Sequence, residues 1–167
     1  MSSINQSRRR LFSRKKNDTV HLPWVKREIE FTDECTRCNK CIQACETGII
    51  IKGDGGFPEV NFSIDECTFC QKCVNACPEP LFTETSVSPW QVTASIQNSC
   101  MAYSGIWCQS CKDACDATAI SFTMAIGKAP QPHVDITACT GCGACVAPCP
   151  SNAIIVMTKP VNPPSCE

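Results

Sequence analysis

Nowhere in these 167 residues is there an apolar run of the roughly eighteen residues that a membrane-spanning helix needs. The stretch after the opening "SRRRLFSRKK", Ser7 to Lys16, continues as "NDTVHLPWVKRE". It lacks the apolar segment and small-residue cleavage site that would complete an export signal. The twin arginine therefore imitates an export address, and the reading predicts a chain that stays in the reducing cytoplasm. Histidine is almost missing. His21 and His133 are far apart, one near the basic start and one in a strand-like segment, and neither accompanies a nucleophile or base partner. The chain is expected to be no enzyme, with no catalytic residue of its own. Long aliphatic runs are lacking too, although 43% of the residues count as hydrophobic, because that figure includes seventeen cysteines.

Those cysteines exceed the ~8–10% level at which composition signals a disulfide scaffold or a metal protein, and spacing separates the alternatives. Three groups read Cys35-x2-Cys38-x2-Cys41-x3-Cys45, Cys67-x2-Cys70-x2-Cys73-x3-Cys77-Pro78 and Cys139-x2-Cys142-x2-Cys145-x3-Cys149-Pro150. In this bacterial ferredoxin run three close cysteines take three corners of a cuboidal [4Fe–4S] cluster, and the fourth ligates the other cluster of a pair. Structural zinc prefers separated Cys pairs, and disulfides require an oxidising compartment and do not need cysteines at fixed intervals of three. The fourth cysteine is expected at the start of a short helix. A further group, Cys100, Cys108, Cys111 and Cys115, matches on its last three members but has seven residues between its first two. Ser104-Gly105 offers a turn for the looped-out chain. Either this group holds a fourth cluster, or it is degenerate or holds a three-iron species.

Repetition organises the chain as α+β, a tandem of bacterial 2[4Fe–4S] ferredoxin-like modules behind a basic arm. The expected limits are 1–27 for the arm, 28–89 for module 1 with the first two motifs, 90–158 for module 2 with the last two, and 159–167 for a tail. Strand-like pieces occur at 48–52, 58–62, 118–122, 132–136 and 152–157. Gly53–Gly56 turns the first piece back on the second, and a longer turn does so before Cys139. Cross-ligation then pairs Cys35, Cys38, Cys41 and Cys77 around one cluster and Cys67, Cys70, Cys73 and Cys45 around the next. In module 2 it pairs Cys100, Cys108, Cys111 and Cys149, then Cys139, Cys142, Cys145 and Cys115. Cys166 is left without a group and reads as a free thiol.

Around the motifs, Gly141 and Gly143 would let backbone N–H groups approach cluster sulfides. Phe69 and Trp107 either shield clusters or simply pack. Arg37, Lys40, Lys72 and Lys112 offset cluster charge, dock a partner or are solvated surface. Charge is uneven. Residues 1–27 hold eight basic groups against Asp18 alone, a net of +7, whereas the remainder nets −8. Each oxidised cluster with its thiolates adds about −2. Such a body repels nucleic acid, so none is expected as a partner. Arg8, Arg9, Arg10, Arg14, Lys15 and Lys16 could hold the chain loosely on the anionic inner membrane face.

With "SRR" at 7–9, "LPW" at 22–24, "ACETGII", "GGFPEVNF", "ACPEPLF", "CMAY" and "AISF", the chain resembles, over nearly its whole length, the NapF family of ferredoxin-type accessory proteins of periplasmic nitrate reductase systems. The wide Cys100–Cys108 gap is similar to that family's own pattern. The resemblance implies a cytoplasmic iron–sulfur protein that assists maturation of the nitrate reductase catalytic subunit before export. Delivery of electrons to an oxidoreductase during turnover is the alternative, and a purely structural cluster protein a third.

Overall fold

The computed structural model describes residues 20–26 and 31–159. The basic cluster Arg8–Lys16 and Cys166 lie outside the described residues. No helix among the described residues is long and apolar enough to cross a membrane.

Regular structure comes in small pieces. Among the described residues the helices are α1 (Phe31–Glu34), α2 (Lys40–Ala44), α3 (Lys72–Asn75) and α4 (Ser110–Asp113). The strands are β1 (Ile50–Lys52), β2 (Pro58–Val60), β3 (Val92–Ile96), β4 (Ile120–Ala125), β5 (Lys128–Val134) and β6 (Ile154–Thr158). They pair antiparallel as β1–β2, β4–β5 and β3–β6. In a two-stranded ladder every strand is an edge, which is how β5 accommodates Pro130 and Pro132. The result is a small ferredoxin-like α+β arrangement.

β1 and β2 are joined by a 3-10 turn at Asp54–Gly56, in which Gly55 and Gly56 take positive φ and the Gly53 N–H donates to the Phe57 carbonyl at 2.8 Å. This is the turn expected at Gly53–Gly56. The second hairpin differs from expectation. Its turn is not long but tight, with Ala125 opposite Lys128 and only Ile126-Gly127 between them. The strands take up the extra length, since β4 runs on to Ala125 and β5 starts at Lys128, with one register shift between Thr123 and Ala125. β3 was no part of the expected strand set. Its register, Val92 against Thr158 through Ile96 against Ile154, makes it the partner of β6. In β6 the buried Ile154 and Val156 alternate with exposed Ile155 and Met157, the pattern of a half-buried strand.

The chain before the first motif is not all free arm. Within 20–26, Leu22 and Trp24 are buried, at 2% and 4% exposure. Val25 bridges Phe82, the Lys26 N–H donates to the Leu81 carbonyl and the Thr83 N–H to the Trp24 carbonyl. Trp24 has φ 61°, its indole N–H donates to the Val87 carbonyl at 3.0 Å, and its ring meets Phe69 edge-on. The 24–26 and 81–83 segments thus close module 1 as β3 and β6 close module 2. Trp24→Ala is expected to cost about 3–5 kcal/mol. That is roughly 10 °C in the thermal midpoint of the iron-loaded protein, followed by cluster absorbance.

Two apolar clusters form the core. One joins Leu22, Ile49, Ile50, Phe62 and Cys73 to Val92 and Val156. The other gathers Ala94, Cys111, Ile120, Cys145 and Ile154. Cysteines belong to both.

Candidate iron–sulfur sites

In the three regular motifs the chain makes a tight wrap by alternating hand. Arg37 and Asn39 in motif 1, Phe69 and Gln71 in motif 2, and Gly141 and Gly143 in motif 4 all have φ between 54° and 85°. Left-handed residues between ligands keep turning the backbone around one centre, so that three Cβ atoms point inward. Non-glycine residues adopt this conformation at a cost of about 1 kcal/mol or more each, which the surrounding structure must offset. The displaced motif 3 departs from the pattern. Gln109 has φ −134°, and the chain instead makes a run of turns in which the Ile106 N–H donates to the Met101 carbonyl and Gly105 takes φ 83°.

The third cysteine of each of the first three motifs sits inside a helix, as Cys41, Cys73 and Cys111 in α2, α3 and α4. The fourth stands at or just past the helix end, Cys45 being the C-cap of α2. The expected position at a helix start is thereby corrected. In motif 4 turns replace the helix, with the Val146 N–H on the Gly143 carbonyl and the Cys149 N–H on that of Val146.

Sixteen cysteines, none in a disulfide, converge on four hollows. Cys35, Cys38, Cys41 and Cys77 line the first, of ≈ 370 Å³ including its open mouth, with Leu22, Phe31 and Leu81 around them. Cys45, Cys67, Cys70 and Cys73 line the second, of ≈ 380 Å³. Cys115, Cys139, Cys142 and Cys145 line the third, of ≈ 340 Å³. Cys100, Cys108, Cys111 and Cys149 line the fourth, of ≈ 310 Å³, beside Met101, Phe122 and Ile154. Each hollow takes three thiols from one motif and one from its module partner, and the displaced Cys100 is brought in with the rest. Among the described residues no group of three or more His, Cys, Asp or Glu closes tightly enough for a single metal ion. Four thiols around each hollow suit a cuboidal cluster.

Electrostatics divide the thiols. Burial pushes Cys41, Cys67 and Cys111 up to about 11, and Cys73 and Cys145 up to about 12. Burial also opposes ionisation of Cys45, but the Thr47 hydroxyl and the N–H groups of Ile50, Ile49 and Gly48 outweigh it and bring the thiol below its usual value. The same donor arrangement recurs. The Ala119 N–H donates to Cys115 Sγ and the Ala153 N–H to Cys149 Sγ, both at 3.3 Å, and the Ala94 N–H donates to Cys139 Sγ at 3.5 Å. Such bonds would tune the potential of a bound cluster. Cys139 is set in place by Asp135, whose carboxylate accepts from Thr137 and Ala138 while its carbonyl accepts the Cys139 N–H.

The flanking residues sort themselves. Phe69 packs between Trp24 and Trp90, whereas Trp107, at the matching position of motif 3, is 65% exposed. Arg37 lies 5.2 Å over the Phe57 ring, and Lys72 pairs with Glu46. His21 and His133 are both exposed. Gly141 and Gly143 have a role that spacing alone does not reveal. A Cβ on Gly143 would lie 2.0 Å from the Phe62 ring, and one on Gly141 would lie 2.6 Å from Val92.

Comparison with known proteins agrees with this geometry. Residues 34–80 and 106–153 each match the 4Fe-4S dicluster domain. The second match begins after Cys100, so the displaced cysteine is outside it. The ferredoxin-type protein NapF of Haemophilus influenzae is 48% identical over 135 residues, covering 81% of this chain and 77% of that one. The ferredoxin-type protein NapF of Escherichia coli (strain K12) is 41% identical over 154 residues, 90% of this chain and 94% of that one. A subunit of the ion-translocating oxidoreductase complex of Methanosarcina acetivorans is 36% identical over 130 residues, 72% of this chain but 46% of its own length. A tandem of dicluster domains, with most of its length shared with these proteins, the chain belongs to the ferredoxin-type NapF family of [4Fe–4S] proteins.

Proposed function

We propose that each of the four hollows holds a [4Fe–4S] cluster through its own four cysteines, and that the loaded protein acts in the cytoplasm on the catalytic subunit of a periplasmic nitrate reductase, assisting its maturation before export. The observation that carries the cluster reading is the convergence of four cysteines on each of four separate hollows. The partner reading rests on membership of the NapF family. When bound, the clusters supply one-electron chemistry at potentials set by their surroundings. The protein's own residues hold the iron, exclude water with Leu22, Phe31, Phe69 and Trp90, and direct N–H groups at sulfur. On this reading the chain works as a carrier or assembly aid, which the ferredoxin-type character of its relatives supports.

The likeness to a component of an oxidoreductase complex favours a second reading, electron delivery during turnover. Anaerobic purification should give about sixteen iron and about sixteen acid-labile sulfide per chain. About twelve of each would leave motif 3 empty. Affinity capture from cytoplasm should then recover the unexported nitrate reductase precursor. Recovery of none, with the loaded protein competent to reduce a mature oxidoreductase, would replace maturation by electron delivery.

A further inference from the structure

Two dicluster modules in one chain could be independent ferredoxins on a common tether. The packing between them is of another kind. The Cys67 N–H, in the ligand loop of motif 2, donates to the Cys142 carbonyl, in the ligand loop of motif 4, at 2.8 Å. Around this bond the Trp90 indole N–H donates to the Thr140 carbonyl at 2.9 Å. Trp90 also meets Phe62 and Phe69 edge-on at 5.8 and 5.9 Å. The glycines of motif 4 allow the approach, since any side chain at Gly143 would enter the Phe62 ring. Both modules contribute to a single apolar cluster at this seam.

Within each module the two cysteine sets are tied by short segments that give a thiol to both, Cys41–Cys45 and Cys73–Cys77 in one, Cys111–Cys115 and Cys145–Cys149 in the other. The seam joins the motif 2 and motif 4 loops. We infer that the four sets form one row, in the order motif 1, motif 2, motif 4, motif 3, with the Cys67–Cys142 backbone contact coupling the two inner centres. The spatial order thus differs from the order along the chain. The row has two ends, the Cys35 set and the displaced Cys100 set, so a partner meets one four-centre unit rather than either of two equivalent ferredoxins. A ligand N–H bonded directly to another ligand's carbonyl gives a short covalent-plus-hydrogen-bond path between sulfurs, in a seam packed with aromatic rings where charges are weakly screened. This inference rests on the proposal that each set holds a cluster.

The test uses the full chain with both outer sets disabled, as Cys35→Ala with Cys38→Ala and Cys100→Ala with Cys108→Ala. Iron should fall to about eight per chain. Electron paramagnetic resonance is then recorded through a stepwise dithionite reduction. The expected result is a line shape that broadens and splits once both inner centres are reduced, independent of protein concentration. With eight irons present, a fully reduced spectrum that merely scales up the partly reduced one would overturn the row while leaving the cluster assignment intact. If the variant does not retain eight irons, the loaded wild-type chain is measured by hydrogen exchange. A Cys67 amide protected at least tenfold over an open-chain rate supports the seam, and exchange at the open-chain rate refutes it. Wild-type iron far below sixteen would instead sink the cluster proposal itself.

Discussion

Stripping iron from the loaded protein with a chelator is expected to destroy its tertiary structure, not merely to bleach it. Among the described residues the helices have four or five residues, far below the length at which an isolated helix holds in water. The three sheets among the described residues have two strands each, and a lone hairpin is marginal at best. The apolar clusters that should hold these pieces include Cys73, Cys111 and Cys145, with Cys41, Cys45, Cys67, Cys115, Cys139 and Cys149 packed against them. Much of the core is therefore wall around a hollow. A folded domain is stable by about 5–15 kcal/mol, and structural metal binding can supply a comparable ~10–16 kcal/mol. Removing the proposed clusters together would exceed that margin. Far-ultraviolet dichroism should collapse toward the unfolded signal, and an apo protein with unchanged dichroism would refute this account. Near neutral pH the thiols of the unfolded apo chain, whose pKa is ordinarily about 8.5, are mostly protonated. Loading must release those protons, so reconstitution should quicken as pH rises from about 7 to about 9 and acid should hasten iron loss.

Cys45→Ser should cost the protein one cluster, and the thiols it frees should not be its sequence neighbours. Cys45 lines the hollow of Cys67, Cys70 and Cys73, whereas Cys35, Cys38 and Cys41 converge with Cys77. Iron is expected to drop by about four per chain. Brief alkylation followed by mass spectrometry should then label Cys67, Cys70 and Cys73 and leave Cys35, Cys38, Cys41 and Cys77 protected. Labelling of Cys35, Cys38 and Cys41 would mean that each motif serves itself. Cys115→Ser should expose Cys139, Cys142 and Cys145 in the same way.

How much of this was legible beforehand varied with the kind of interaction. The cysteine intervals pointed to a cluster protein because three thiols within seven residues can serve only a compact centre. The Gly53–Gly56 turn was equally plain, since consecutive glycines supply the positive φ that it uses. β3 was missed because "VTASI" has few large apolar residues, although its β-branched ends carried a strand signal. Residues 20–26 were assigned to a basic arm on the strength of nearby charge. Trp24 and Leu22 in fact close module 1, and isolated apolar residues without periodicity gave no sign of it.

By itself the sequence determined the grouping of cysteines in fours, the doubling of the dicluster domain and the family, because each is a matter of residue identity and of spacing along the chain. The tertiary structure alone decided that Gly141 and Gly143 make room for Trp90, Val92 and Phe62 from outside their own loop. It alone decided that Trp107 is left exposed while Phe69 is enclosed, and that the loops of motifs 2 and 4 meet backbone to backbone. These contacts join residues remote in the chain, and their energies depend on shape and approach. No interval between cysteines encodes them.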